Sequence, residues 1–196
     1  MIKLGLTGSI GMGKSTTAQM FRDRNVPVWD ADAAVHHLYA ANGAGSRALE
    51  AVYPEAVGPE GVDRAVLRDV IAEDPQALKR IEGLIHPLLR SERAAFVNTN
   101  SKEHVVLFDI PLLFETGADA WLDRIAVVST DAERQKARVL DRPNMDAAHF
   151  EFILSKQVPD AEKRARADFV IDTTTLESAA SGVDHILSTL REASDA

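Results

Sequence analysis

Residues 8–15 read Gly-Ser-Ile-Gly-Met-Gly-Lys-Ser, a match to G-x-x-x-x-G-K-[ST]. Those residue types at that spacing suit a nucleotide phosphate chain. Gly8, Gly11 and Gly13 let the backbone curl until successive N–H groups point inward at phosphate oxygens. A helix starting near Gly13 adds the positive end of its dipole. Lys14 then reaches the β- and γ-phosphates, and the Ser15 hydroxyl is placed to ligate Mg²⁺. The loop follows an apolar segment, Ile2–Thr7, that reads as a strand, which is the setting this chemistry requires.

Carboxylates and arginines elsewhere offer the remaining chemistry. In "VPVWDAD", Asp30 and Asp32 stand at i and i+2, on one face if the strand continues that far. A carboxylate there can orient an acceptor hydroxyl and take its proton. Asp32 is the candidate base and Asp30 its support, or a partner of a Mg²⁺-bound water. The alternative for Asp32 is a helix N-cap before "AAVHHLYA". Asp109 closes "HVVLFD", where an acidic residue either approaches the metal or ends the strand in a turn. In "STDAERQKARVLDRPNM", Thr130 and Glu133 fit a capping box, and Arg134 and Arg138 share a helical face. Pro143 forces Arg142 into a bend. With "DAAHFEFILSKQ" this makes two helices about an arginine-bearing turn, a lid over a triphosphate at about 140–160. Arg134 reads as a solvated helix face, and Arg138 and Arg142 as catalytic cations. His86-Pro87 predicts a kink in a helix. His36 and His37 lack ligand partners at metal spacing, and Trp29 and Trp121 read as core or half-buried surface.

Five β-branched-rich segments must position these groups: Ile2–Thr7, Val26–Asp30, His104–Asp109, Arg124–Ser129 and Asp168–Asp172. Their continuously apolar centres indicate strands covered on both faces, and the helical patterns between them indicate a parallel α/β sheet. About 70 residues separate the second strand from the third, far more than a crossover needs. The division expected is one domain over 1–196. Residues 1–32 and 104–196 form its nucleotide-binding core, and 33–103 a helical insertion that holds the acceptor or braces the core. Turn signals fall at "ANGAG" and "GPEG". The tail "REASDA" is expected to fray.

The chain has 196 residues, 45% of them hydrophobic, a formal charge of −8 and no cysteine. Those figures suit one soluble domain without a disulfide or thiolate site, and they disfavour a nucleic-acid surface. No signal peptide or membrane-spanning run is read, so a cytoplasmic location is expected. A guanine-reading Asn/Thr-Lys-x-Asp is missing, and "FDIPLLFE" stands where a GTPase carries Asp-x-x-Gly. A motor needs more length. What remains is a small-molecule kinase, a nucleoside-monophosphate kinase, or an ATP-binding regulatory module without catalysis.

Several segments together resemble the dephospho-CoA kinase family: "GLTGSIGMGKST", "VPVWDADAAVHHL", "IHPLL" at Ile85–Leu89, "DIPLLFETG" at Asp109–Gly117, "ARVLDR" and "RADFVID" at Arg166–Asp172. They keep the family's order over nearly the whole chain. The resemblance implies a P-loop, nucleoside-monophosphate-kinase-like three-layer sandwich with sheet order 2-3-1-4-5. It implies ATP-dependent phosphorylation of the ribose 3′-hydroxyl of dephospho-CoA, the last step of coenzyme A synthesis, with Mg²⁺. It places Gly11 to Thr16, Met12 included, against ATP. Asp32 matches the family's catalytic carboxylate and Arg142 its lid arginine. His86, Leu112, Leu113 and Glu115 would lie near the acceptor. Arg64, Arg68, Lys79, Arg80 and Arg90 are candidates for holding its pyrophosphate. No nucleic-acid or membrane partner is implied, and a monomer or weak oligomer is expected. Three positions depart from the family pattern. Ser9 replaces a common second glycine, Pro143 follows Arg142 where aspartate is usual, and "VIDTTTLES" replaces an Asn and a Gly-containing turn expected near the adenine.

Overall fold

The computed structural model describes residues 1–193. In chain order the elements are β1 (Ile2–Thr7), α1 (Lys14–Arg22), β2 (Val28–Asp30), α2 (Ala31–Tyr39), α3 (Ala44–Glu50), β3 (Val57–Gly58), β4 (Gly61–Val62), α4 (Arg64–Glu73) and α5 (Ala77–Thr99). There follow β5 (Val105–Asp109), β6 (Arg124–Ser129), α6 (Ala132–Leu140), α7 (Ala147–Ser155), α8 (Asp160–Ala165), β7 (Phe169–Asp172) and α9 (Leu176–Glu192). The main sheet has the order β2-β5-β1-β6-β7, and β1–β5, β1–β6 and β6–β7 pair in parallel. Counting only its own five strands, the order is 2-3-1-4-5, as expected. Two compact units result: Met1–Trp29 with Asn100–Ala196, and Asp30–Thr99.

In the first unit the strands bury alternate residues on opposite faces. Leu4 and Leu6 of β1, Val105 and Leu107 of β5, and Ala126 and Val128 of β6 join Phe21 of α1 and Val183, Ile186 and Leu190 of α9 in one core cluster. The other face holds Phe108, with Trp121 edge-on at 4.9 Å and Trp29 tilted at 5.9 Å between ring centroids. Residue 5 of β1 is on that face by alternation and is a glycine there, since Leu113 and Leu122 occupy the space a Cβ would need. Burial on both faces is why the strands read as unbroken apolar runs. β2 begins two residues later than expected, although the Pro27 carbonyl before it still accepts from Leu107 N–H at 2.8 Å.

The second unit has its own core of Leu38, Leu49, Tyr53, Leu67, Ile81 and Ile85. Its helices match the expected pattern, but β3 and β4 form a hairpin across Gly58-Pro59-Glu60-Gly61 that two-residue strands gave no periodicity to reveal. α5 continues through Pro87 without a break, because burial of Ile81 and Ile85 outweighs one missing backbone bond.

Two caps differ from the sequence reading. Asp30, not Asp32, caps α2, its carboxylate accepting from Ala33 N–H at 3.0 Å. The strand therefore ends at Asp30, and the two carboxylates do not share a strand face. Asp131 caps α6 by accepting from Arg134 N–H at 2.8 Å, so Thr130 and Glu133 form no capping box. At the other end of the chain, Arg191 and Glu192 belong to α9 rather than to a frayed tail. Residues 194–196 of that tail lie outside the described residues. Among the described residues, no helix is long and apolar enough to cross a membrane.

Candidate functional site

The phosphate loop of the first unit runs from the end of β1 into α1. Gly11 and Gly13 take left-handed φ of 80° and 89°, and both are crowded. A Cβ on Gly11 would lie 2.5 Å from the Val139 side chain and 2.9 Å from the Gln135 carbonyl. Gly13 is the residue before α1, whose first-turn amides have no side-chain cap, so they are free to face an anion. The Met12 side chain is buried, and its sulfur accepts from Thr130 N–H at 3.2 Å. The Met12 N–H donates to the Ser9 carbonyl at 3.1 Å, so side chain and amide are both engaged within the protein. Ser15 and Thr16 are exposed at the start of α1.

Lys14 points to β5. Its ammonium donates to the Asp109 carboxylate at 2.5 Å, with Asp109 almost wholly buried. The topology explains the encounter, since β5 is the direct neighbour of β1 and Asp109 stands opposite Leu6. Beside the loop lies a cleft of about 270 Å³ lined by Gly11, Gly13, Thr16, Arg138, Arg142 and Thr173, among others. Arg138 donates through Nη2 to the Thr173 carbonyl at 2.7 Å, while its Nη1 is buried with no hydrogen-bond partner. A buried cationic donor without an acceptor is costly, so this nitrogen is a strained point of the site. Arg142 is exposed in the turn after α6. Arg134 instead pairs with Asp131 at 2.6 Å on the solvent side.

The segment after β5 is held differently from the expectation. Leu112 is exposed, but Leu113 is 0% exposed and packs in the core, so its side chain offers nothing to a ligand. Glu115 turns toward Lys163 of α8, a wholly buried lysine 2.8 Å away, and also accepts from Val158 N–H at 2.8 Å. Burial pushes the Glu115 carboxyl up, but the Lys163 bond and the backbone N–H groups outweigh it and hold it below the usual range. A folded-state value below the unfolded one contributes stability above the unfolded value and loses it as pH falls through the folded one. Wild-type stability measured by urea denaturation is therefore expected to drop below pH 4.5 more steeply than that of a Glu115→Leu/Lys163→Met double variant. Lys163→Met alone is expected to cost about 3 kcal/mol, because it strands a buried carboxylate; equal stability of the single and double variants would refute the pairing.

In the second unit Asp32 is exposed in the first turn of α2. His86 is exposed on α5. Among the basic candidates, Arg64 lies 5.6 Å over the Tyr39 ring, and Arg80 is engaged by the Tyr53 hydroxyl at 2.9 Å and by Asp74. Burial raises the Tyr39 phenol above its ordinary value against the opposing Arg64 charge.

Three residues of the site escaped the sequence reading. Gln135 donates to the Ile10 carbonyl at 2.8 Å, Gln157 accepts from Ile10 N–H at 3.1 Å, and Thr173 donates to the Met12 carbonyl at 2.7 Å. Each partner lies more than a hundred positions away, and a neutral polar side chain carries no motif that would have found it.

Comparison with known proteins gives a consistent picture. A family model described as Dephospho-CoA kinase matches residues 2–178. The chain is 54% identical to a dephospho-CoA kinase of Ruegeria pomeroyi over 189 residues, covering 96% of this chain and 95% of that one. It is 54% identical to one of Jannaschia sp. over 190 residues, covering 96% and 97%. A crystal structure of a Thermus thermophilus protein superposes with a TM-score of 0.80 at 31% identity, covering 96% and 97% of the two chains. A Campylobacter jejuni dephospho-CoA kinase structure shares the fold with a TM-score of 0.71 at 23% identity, covering 98% of each.

Proposed function

The chain belongs to the dephospho-CoA kinase family, and from that premise we propose how its residues divide a two-substrate reaction: ATP phosphorylates the ribose 3′-hydroxyl of dephospho-CoA, giving coenzyme A and ADP. The observation that carries the donor half is the phosphate loop with Lys14 on Asp109 beside a cleft that holds a buried, unsatisfied Arg138 donor. Inward amides and the α1 dipole hold the β- and γ-phosphates. Lys14 shifts its bond from Asp109 to the γ-phosphate. Arg138 and Arg142 stabilise the charge that spreads over the transferred group. The acceptor oxygen attacks phosphorus, the bond from phosphorus to the β,γ-bridging oxygen breaks, and Asp32 takes the hydroxyl proton.

Mg²⁺ belongs to this reading. The Ser15 hydroxyl and Asp109 carboxylate are hard oxygen donors of the kind Mg²⁺ accepts beside phosphate oxygens and waters, and the ion when bound neutralises charge on the β- and γ-phosphates. The unit Asp30–Thr99 is assigned to the acceptor, with the segment at about 140–160 as lid. Leu112 and His86, both exposed, remain available for acceptor contact, whereas Glu115 serves Lys163. A cytosolic location and a monomer or weak oligomer complete the proposal.

The test is steady-state turnover with dephospho-CoA, nucleoside monophosphates and shikimate in parallel, following ADP release and the phosphorylated product. Turnover is expected with dephospho-CoA alone. Turnover of another acceptor in its place refutes the acceptor assignment, and ATP binding without any turnover favours a regulatory module.

A further inference from the structure

A phosphate loop can turn its amides inward only if its carbonyls turn outward, and each outward carbonyl away from water needs a donor. Here donors can be named for four of them. The Ser9 carbonyl accepts from Met12 N–H at 3.1 Å, and that of Gly13 from Thr17 N–H at 3.1 Å and from the Thr17 hydroxyl at 3.1 Å. These two are satisfied locally. The Ile10 carbonyl takes Gln135 Nε2, and the Met12 carbonyl takes the Thr173 hydroxyl at 2.7 Å.

Thr173 is the more connected of the two outside donors. It stands in the turn between β7 and α9 and is 5% exposed. Its N–H donates to the Ser129 carbonyl at the end of β6 at 2.9 Å. Its own carbonyl accepts from Arg138, a residue lining the cleft whose other terminal nitrogen is buried and unsatisfied. Its hydroxyl has one proton and two oxygens in reach, Met12 at 2.7 Å and Ser129 at 3.1 Å. The Ser129 carbonyl already has the Thr173 amide, so the proton serves Met12. The fit is close, since a Cβ on Gly13 would lie 3.3 Å from the Thr173 Cβ.

We propose that Thr173 is a positioning residue for phosphoryl transfer: its hydroxyl holds the Met12 carbonyl outward, so that the neighbouring amides stay turned to the phosphates, while its backbone holds Arg138 against the same cleft. The turn that departs from the family pattern thus tethers the loop. The inference rests on the nucleotide-binding part of the proposed function and not on the identity of the acceptor.

The experiment is calorimetric titration of the full chain with Mg·ATP, without acceptor, for wild type, Thr173→Val and Thr173→Ser. Loss of the hydroxyl in a shape-conserving change is expected to weaken ATP binding about ten-fold, and serine is expected to restore it to within about two-fold. The KM for dephospho-CoA is expected to stay the same in all three, which a general loosening of the fold would not allow. Should the valine variant not fold, Thr173→Ala carries the same comparison against serine. Equal ATP affinity in the hydroxyl-free and serine variants overturns the tether. If that difference appears but wild type does not phosphorylate dephospho-CoA, the acceptor reading fails and the tether stands. Wild type without ATP affinity overturns both.

Discussion

Asp32→Asn is expected to lower kcat by about 10²-fold or more while leaving ATP affinity unchanged. Asparagine keeps the size and hydrogen-bonding reach of the side chain but cannot take a proton. The structure makes this a clean substitution. Asp30 supplies the cap of α2, so neutralising Asp32 removes no backbone bond from the helix. It forfeits only a favourable first-turn charge, of about 0.3–1 kcal/mol at an exposed position. A fall in kcat with a nearly unchanged thermal midpoint therefore reports on chemistry. Asp30→Asn is the natural companion, because asparagine caps a helix as well as aspartate does and should preserve the fold. Phosphotransfer undiminished in Asp32→Asn would show that another group accepts the proton.

Lys14→Met is expected to reduce kcat/KM by roughly 10³-fold, as removal of a charge aimed at the transferred phosphoryl group does in comparable sites. It carries a second consequence that a purely catalytic lysine would not. In the structure Lys14 rests on Asp109, whose side chain is 4% exposed. Removing the cation from such a pair costs about 3 kcal/mol, although the remaining partners of Asp109 temper the loss. The double variant Lys14→Met/Asp109→Asn is expected to regain most of that stability in urea denaturation and none of the activity. A single variant as stable as wild type would mean that the ion pair contributes only to the site. On the proposed reading the nucleotide displaces an internal contact when it recruits Lys14, and ATP affinity would reflect the difference between the two partners.

The strands were legible because both faces of the sheet are covered, which writes "VVLF" and "IAVV" as continuous apolar runs. The phosphate loop was legible because its glycines and lysine act locally, over eight residues. The caps were only half legible. Asp30 and Asp32, like Thr130 and Asp131, are each able to cap, and the choice depends on where the backbone leaves the strand. Glu115 was assigned to the acceptor side, yet its carboxylate turns to Lys163, and nothing local in "PLLFETG" signals a lysine on α8.

By itself the sequence determined the nucleotide cradle, the parallel α/β sheet and the acidic residue at the end of β5, since each rests on short-range stereochemistry or on repeating burial. Only the tertiary structure decided that Lys14 meets Asp109. Likewise it alone showed Arg138 held on the Thr173 carbonyl with a buried, unsatisfied second nitrogen, and Gln135, Gln157 and Thr173 holding the loop from 125, 147 and 161 positions away. Those contacts depend on which strands become neighbours in the sheet, and hydrogen bonds between neutral side chains and distant backbone leave no spacing in the chain to read.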